Sequence, residues 1–184
     1  MTNLEDFQLK PLNDSNLKIV LQWRNSKEIK TYMYTDHPIK WNEHYQWYKQ
    51  VVSDPQRNVL LLNYKERPLG LVDFRNIDHK NSRCYWGFYI GETTAPKGSG
   101  TIMGILALDK MFTTVGIHKV CAEVIHTNYR SVKYHKKLGF ETEGRFVDHL
   151  WKDEQYVDII SMALFADKWK KVRFELLTDL KGGL

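Results

Sequence analysis

The pattern of apolar and polar positions predicts strands and helices that follow one another along the whole chain. Residues 7–12 alternate as in a strand, and apolar residues then recur at helical spacing from 17 to 23. The remaining predicted elements are a helix at 41–52, strands at 58–64, 70–77 and 83–90, a helix at 102–112, a strand at 119–125, a helix at 131–138, strands at 140–146 and 156–164, and a helix at 166–177. This order indicates an α+β protein, with helices, an antiparallel meander and then a strand–helix–strand–helix–strand unit.

The length and composition narrow the class of protein. A chain of 184 residues with 42% hydrophobic content predicts one globular domain spanning 1–184. The first residues lack the basic-then-apolar order of a signal peptide, and no apolar run is long enough to cross a membrane. The two cysteines, Cys84 and Cys121, give neither a disulfide framework nor metal-ligand spacing. We therefore expect a cytoplasmic protein with no membrane partner and no metal site.

The net charge of +5 leaves two kinds of ligand open. The basic residues are scattered among acidic ones, and the densest group is Lys133, Lys136 and Lys137 beside Arg130. A phosphorylated small molecule accounts for this group as well as RNA does, and so does a solvated helix face. No RNA-recognition signature accompanies the charge, so we expect no nucleic-acid partner.

Two motifs carry the most specific chemistry in the chain. Residues 95–101, Ala-Pro-Lys-Gly-Ser-Gly-Thr, form a short glycine-bearing loop that leads into a helix, which suits an anion held by backbone N–H groups. Residues 128–140 give a polar residue, a helix and then Leu-Gly-Phe, with Gly139 at a C-terminal cap position. The pair indicates a pyrophosphate-bearing cofactor with catalytic groups beside it.

These motifs resemble those of the GNAT superfamily of N-acetyltransferases. The family's loop, Arg/Gln-x-x-Gly-x-Gly/Ala, is matched at Gly98 and Gly100, but Ala95 replaces the Arg or Gln. The family's second motif is matched at Asn128, Ser131, Lys137, Gly139 and Phe140. The resemblance implies a mixed, mostly antiparallel central sheet of about seven strands flanked by helices, with a splayed cleft for the cofactor acetyl-CoA.

The resemblance also implies which residues bind acetyl-CoA. The pyrophosphate would lie on the loop residues Lys97, Gly98, Ser99, Gly100 and Thr101. The pantetheine arm would pair with the strand residues Phe88, Tyr89 and Ile90, and the remaining contacts would come from Asn128, Ser131 and Lys137. Two alternatives stay open: Gly87 marks only a bulge, and Asn128 only caps the helix that follows it.

Three residues are candidates for the chemistry of acetyl transfer. His135 occupies the position where most relatives have a tyrosine that protonates the leaving thiolate, and its neighbour Tyr134 is the second candidate. Glu123, on the preceding strand, is the candidate base that deprotonates the acceptor amine, alone or through water. We expect His135→Phe to lower turnover more than cofactor affinity.

A narrower resemblance indicates the acceptor. Residues 23–25, 32–34, 41–48 and 140–145 are similar to the bacterial acetyltransferases of pseudaminic acid biosynthesis, which acetylate the 4-amino group of a UDP-linked amino sugar. That resemblance implies a nucleotide-sugar site formed by Arg24, Asn25, Tyr34, Trp41, His44 and Trp47. Arginine suits a diphosphate, and aromatic side chains suit a uracil or sugar face.

Other acceptors are weighed against this one. The Trp-Arg-Asn segment at 23–25 and the Glu-Gly pair at 143–144 also resemble acetyltransferases of ribosomal-protein N-termini, so a peptide acceptor remains the alternative. A polyamine calls for an acidic cleft, whereas residues 24–48 contain only Glu28, Asp36 and Glu43 among several basic residues. The chain is expected to be a monomer or a homodimer.

Overall fold

The computed structural model describes residues 3–182, in which seven strands and six α-helices follow one another. The strands are β1 (Phe7–Pro11), β2 (Asn58–Tyr64), β3 (Arg67–Asp78), β4 (Arg83–Ile90), β5 (Lys119–Ile125), β6 (Glu141–Lys152) and β7 (Gln155–Phe165). The helices are α1 (Leu17–Asn25), α2 (Lys27–Lys30), α3 (Trp41–Ser53), α4 (Ser99–Asp109), α5 (Tyr129–Lys137) and α6 (Ala166–Gly182).

The strands form one sheet in the order β1-β2-β3-β4-β5-β7-β6. Every pairing is antiparallel except that of β4 with β5, which is parallel and joins only Arg83–Tyr85 to Lys119–Cys121. Beyond these three pairs the two strands diverge, so their edges are free to bind another extended group. The predicted α+β fold with a splayed central cleft is confirmed.

Helices cover both faces of the sheet. Leu60 and Leu62 of β2 belong to a core under α4 and α6, whereas Leu61 points to the other face, into a core with Val20 and Trp23 of α1. Burial on both faces explains why residues 59–62 are continuously apolar instead of alternating. The α4 helix is apolar on nearly all sides because it lies between the sheet and α6.

Two motif glycines adopt backbone conformations that other residues rarely accept. Gly98, which precedes α4, has a φ of 91°, and Gly139, which follows α5, has a φ of 90°. Glycine pays no steric cost in this left-handed region. Each residue therefore sets the direction of a helix that borders the cleft.

The structure changes several predicted boundaries. The β3 strand begins at Arg67 and includes Pro68, and β6 and β7 extend into a longer hairpin than the sequence pattern indicates. A short helix, α2, lies between the predicted helices at 17–23 and 41–52, where the sequence pattern indicated no further element. A bulge at Gly87 is not present, because Gly87 pairs in register with Asp73 and the irregularity lies between Arg75 and Asp78.

Candidate functional site

Two cavities open on opposite faces of the sheet and meet where β4 and β5 diverge. The cavity on the α4/α5 face has a volume of about 380 Å³, and the cavity on the α1/α3 face about 480 Å³. We call the first the cofactor cavity and the second the acceptor cavity. Their common wall, the junction, consists of Met33, Tyr34, Arg75, Gly87, Phe88, Tyr89 and Glu123.

The alternation of β4 explains how one strand serves both cavities. Phe88 and Ile90 pack toward the core under α4, whereas Tyr89 packs toward α1. All three predicted pantetheine residues line the cofactor cavity. Their divergence from β5 leaves room for an extended, amide-bearing ligand beside the strand edge.

The glycine loop lies at the outer end of the cofactor cavity. Gly100 lines this cavity, and the Lys137 amine donates a hydrogen bond to the Thr101 hydroxyl at 3.2 Å. The first-turn N–H groups of a helix lack intrahelical acceptors and carry the positive end of the helix dipole. The residues present therefore fit a pyrophosphate at the start of α4, with the Lys137 cation nearby.

Asn128 caps α5, as one of the two sequence alternatives requires. Its Oδ1 accepts a hydrogen bond from the Ser131 backbone N–H at 3.0 Å. Both residues also line the cofactor cavity. The cap fixes the direction of the α5 helix and with it the placement of Tyr134 and His135.

His135 is a poor candidate for the proton donor, which corrects the sequence-based interpretation. Its side chain is 3% exposed within an aromatic cluster that includes Trp86, Phe88 and Phe140, and burial lowers its pKa to about 4. Nδ1 lies 2.8 Å from the Ser131 carbonyl oxygen. Nδ1 must carry the proton to donate this bond, so Nε2 of the neutral ring has none to give.

Tyr134 is committed to a structural contact. Its phenol donates a hydrogen bond to the Gly100 carbonyl, and burial raises its pKa above the ordinary value. The hydroxyl also lies against Gly104 of α4. Tyr134 lines the cofactor cavity, but this bond already uses its proton.

Glu123 lies at the junction, as a base for the acceptor amine must. Its Oε2 accepts a hydrogen bond from the Tyr34 phenol at 2.8 Å. Burial, together with this carboxylate, raises the pKa of Tyr34. The carboxylate therefore stands between the two cavities, within reach of groups bound in either one.

The acceptor cavity contains a buried guanidinium with spare hydrogen-bonding capacity. Nη1 of Arg24 is buried and has no hydrogen-bond partner among residues 3–182. Burial lowers the pKa of Arg24, while Tyr89 and Glu43 nearby favour its charged form. An unpaired buried N–H on a charged group is costly, so the cavity suits a ligand that brings an acceptor to it.

The other predicted acceptor residues divide into two groups. Tyr34, His44 and Trp47 line the acceptor cavity, although the His44 Nε2 already binds the Leu17 carbonyl at 3.0 Å. Asn25 and Trp41 do not line it. The Asn25 side-chain amide donates a hydrogen bond to the Ile39 carbonyl and accepts one from the Ile39 N–H. Trp41 is 46% exposed and stacks on Tyr45.

Three charged residues of the acceptor cavity were missed by the sequence analysis. Arg57 binds Asp73 through two hydrogen bonds of 2.9 and 2.6 Å, and Arg75 extends over Gly87 at the junction. Asp73 and Arg75 follow the apolar run 69–72 of β3 at alternate positions, which places both on the face that lines the cavity. This alternation of charged residues in the sequence could have indicated that Asp73 and Arg75 line the site.

Metal-ligand clusters and membrane-spanning helices are both absent from residues 3–182. No group of three or more His, Cys, Asp or Glu side chains in residues 3–182 is arranged to hold a metal ion. Over the same residues, no helix combines the length and apolar character needed to cross a bilayer.

Comparison with known proteins identifies the class. Residues 6–141 match the family model of the acetyltransferase (GNAT) domain, so the chain belongs to this family and is an acetyl-CoA-dependent N-acetyltransferase. It is 24% identical over 169 residues to spermidine N(1)-acetyltransferase of Escherichia coli, covering 92% of this chain and 91% of that one.

Two further relatives show the spread of the family. Acetyltransferase PseH of Campylobacter jejuni is 26% identical over 140 residues, which are 76% of this chain and 85% of that protein. The crystal structure of spermidine N-acetyltransferase from Vibrio cholerae in complex with CoA and spermine superposes with a TM-score of 0.83 at 21% identity. That match covers 90% of this chain and 99% of the other.

Proposed function

We propose that the chain transfers the acetyl group of acetyl-CoA to the 4-amino group of a UDP-linked 4-amino-4,6-dideoxy sugar, as in pseudaminic acid biosynthesis for flagellin glycosylation. The amine attacks directly while both substrates are bound. The observation that carries this proposal is the unpartnered Nη1 of Arg24 in the acceptor cavity. A diphosphate supplies the anionic oxygens that this group lacks.

The arrangement of the junction supports direct transfer. The acetyl thioester would enter along the β4 edge, held by Phe88, Tyr89 and Ile90, while the amine approaches from the opposite face of the sheet. Glu123 is positioned to take the proton from the amine. Holding both reactants at one opening lowers the barrier by removing much of the entropy cost of their encounter.

The unpartnered Nη1 of the Arg24 guanidinium, rather than the net charge of the acceptor cavity, favours an anionic acceptor over a polyamine. The lining of that cavity includes three arginines, Arg24, Arg57 and Arg75, and three acids, Glu43, Asp73 and Glu123. Arg57 and Asp73 neutralise one another, and Glu43 and Glu123 balance Arg24 and Arg75, so the lining as a whole is neutral. A polycation would leave Arg24 unpaired and add like charges beside it.

Spermidine acetylation is the second candidate, because relatives that cover nine-tenths of the chain carry that name. A protein N-terminus remains the third, since a peptide also fits an open groove between helices and a sheet. The three acceptors differ in charge: the nucleotide sugar is anionic overall, spermidine is a polycation, and a peptide amine need carry no anion. That difference allows one assay to separate them.

The test compares acetyl transfer to the UDP-4-amino sugar, to spermidine and to a ribosomal-protein N-terminal peptide. We expect the highest kcat/KM with the nucleotide sugar. Arg24→Gln should raise its KM about tenfold or more, because a charge-assisted hydrogen bond is lost. Arg83→Gln, on the exposed start of β4, is the matched control. Preference for spermidine, or a KM unaffected by Arg24→Gln, contradicts the proposal.

A further inference from the structure

The leaving thiolate needs a proton donor, and the junction contains one that the motifs do not indicate. Tyr34 lies in the 31–40 segment between α2 and α3, outside both family motifs. Its side chain lines both cavities, is 41% exposed and donates to Glu123. It is therefore in contact with the candidate base and within reach of groups bound on either face of the sheet.

The two donors predicted from the second motif are less suited to this step. The Nε2 atom of neutral His135 has no proton, because the hydrogen bond to the Ser131 carbonyl keeps the proton on Nδ1. The phenol of Tyr134 already donates to the Gly100 carbonyl. By contrast, the Tyr34 phenol donates to Glu123, which is the group that gains a proton from the amine during the reaction.

We infer that Tyr34 is a second catalytic residue, which passes to the thiolate the equivalent of the proton that Glu123 removes from the amine. The nitrogen forms its bond to the acetyl carbon as its N–H proton moves to Glu123. The C–S bond breaks with its electron pair on sulfur, the phenol proton moves to that sulfur, and protonated Glu123 returns a proton to the phenol oxygen. The products are the amide and CoA thiol, with both residues restored.

The surroundings of Tyr34 support this relay. The same burial and the same carboxylate that raise its pKa keep the phenol protonated until a proton arrives on Glu123. Arg75 also lines the junction and favours the anionic phenolate that would form in passing. The segment bearing Tyr34 is fastened to α1, because Asn25 binds both the N–H and the carbonyl of Ile39.

The test is a double-mutant cycle on Tyr34→Phe and Glu123→Gln, measured with an amine that the enzyme acetylates. Tyr34→Phe should lower kcat about 100-fold, which is typical of losing one proton-transfer group, with little change in the KM for either substrate. The double variant should lose no more than the slower single variant, because the two groups act as one unit. Tyr156→Phe, an exposed tyrosine on the β6–β7 hairpin, is the matched control.

Three results would overturn the relay: an unchanged kcat in Tyr34→Phe, a change confined to KM, or losses that multiply in the double variant. Acetyl-CoA binding, measured by calorimetry, should be the same in all variants and shows that each has folded. The relay rests on Glu123 as the base. Full activity of Glu123→Gln would therefore contradict both the role of Glu123 as the base and the relay through Tyr34. The identity of the acceptor is decided separately, because any acetylated amine serves in this cycle.

Discussion

The phenol of Tyr134 donates its hydrogen bond to the carbonyl of Gly100, so the two sequence motifs are joined directly in space. Gly100 lies in the first turn of α4, where the pyrophosphate is expected, and Tyr134 lies in α5, which also lines the cofactor cavity. One contact therefore sets the distance between the two helices that we expect to bind the cofactor.

Tyr134→Phe separates this structural role from an acid role. We expect the free energy of unfolding to fall by about 1 kcal/mol, the usual cost of one hydrogen bond, and the acetyl-CoA Kd to rise. Turnover at saturating substrates should stay near that of the wild type. Urea denaturation, calorimetry and steady-state kinetics measure the three quantities. A large loss of kcat with an unchanged Kd would instead identify Tyr134 as the proton donor.

His135 should make stability depend on pH. Its pKa is about 4 in the folded protein and near 6.5 when unfolded, so the unfolded chain takes up a proton first as the pH falls. The free energy of unfolding should therefore fall between about pH 6.5 and pH 4, by up to about 3 kcal/mol from this residue.

The variant His135→Phe tests this dependence while it preserves the aromatic packing. Denaturation at a series of pH values should show that the variant loses less stability than the wild type as the pH falls. Part of the pH dependence should persist, because burial also lowers the pKa of His44. Turnover should be largely kept. Replacement of the exposed His79 by Asn is the control, and identical pH slopes for His135→Phe and the wild type would refute the argument.

Gly98→Ala should affect both folding and cofactor binding. Its φ of 91° costs an alanine about 1 kcal/mol or more, and relief of that strain would turn the first N–H groups of α4 away from the pyrophosphate. Gly116→Ala is a matched control, since Gly116 also has a positive φ, with open space around it. Both variants should be destabilised, but only Gly98→Ala should bind acetyl-CoA more weakly; equal Kd values would contradict the assignment.

Asp73→Asn should weaken the acceptor cavity and the fold together. The change leaves Arg57 without its charged partner, and the two side chains are only 23% and 15% exposed. We expect a loss of about 1–3 kcal/mol in unfolding free energy and a higher acceptor KM. Asp167→Asn removes an exposed partner of Lys170 and should change stability by less than about 0.5 kcal/mol. Equal changes in unfolding free energy for the two variants would show that the Arg57–Asp73 pair stabilises the fold no more than the exposed Lys170–Asp167 pair does.

Sequence reasoning succeeded where a residue's role depends on its own neighbours along the chain. The glycine loop before α4, the Asn128 cap and the Gly139 stop all follow from local backbone chemistry. The pattern of apolar residues likewise predicted all seven strands, although several of their boundaries differ. These features were sufficient to predict the fold, and the cofactor-binding residues that they indicate stay a prediction.

It failed where a role depends on distant partners. Nothing near His135 in the sequence shows that Trp86, Phe88 and Phe140 enclose it, and nothing near Asn25 shows that Ile39 occupies its amide. The bond from Tyr34 to Glu123 spans 89 positions. The acceptor side is formed almost entirely by contacts of this kind, so its residues were only partly identified.

The short parallel pairing of β4 with β5 also bears on how long the enzyme survives. Three residue pairs join the meander to the second half of the sheet, so this joint should be among the first to open. A ligand that bridges the diverging edges strengthens the joint, and at one hundred times its Kd it stabilises the fold by about 2.7 kcal/mol. The supply of acetyl-CoA would then set not only the rate of acetylation but also the resistance of the protein to proteolysis.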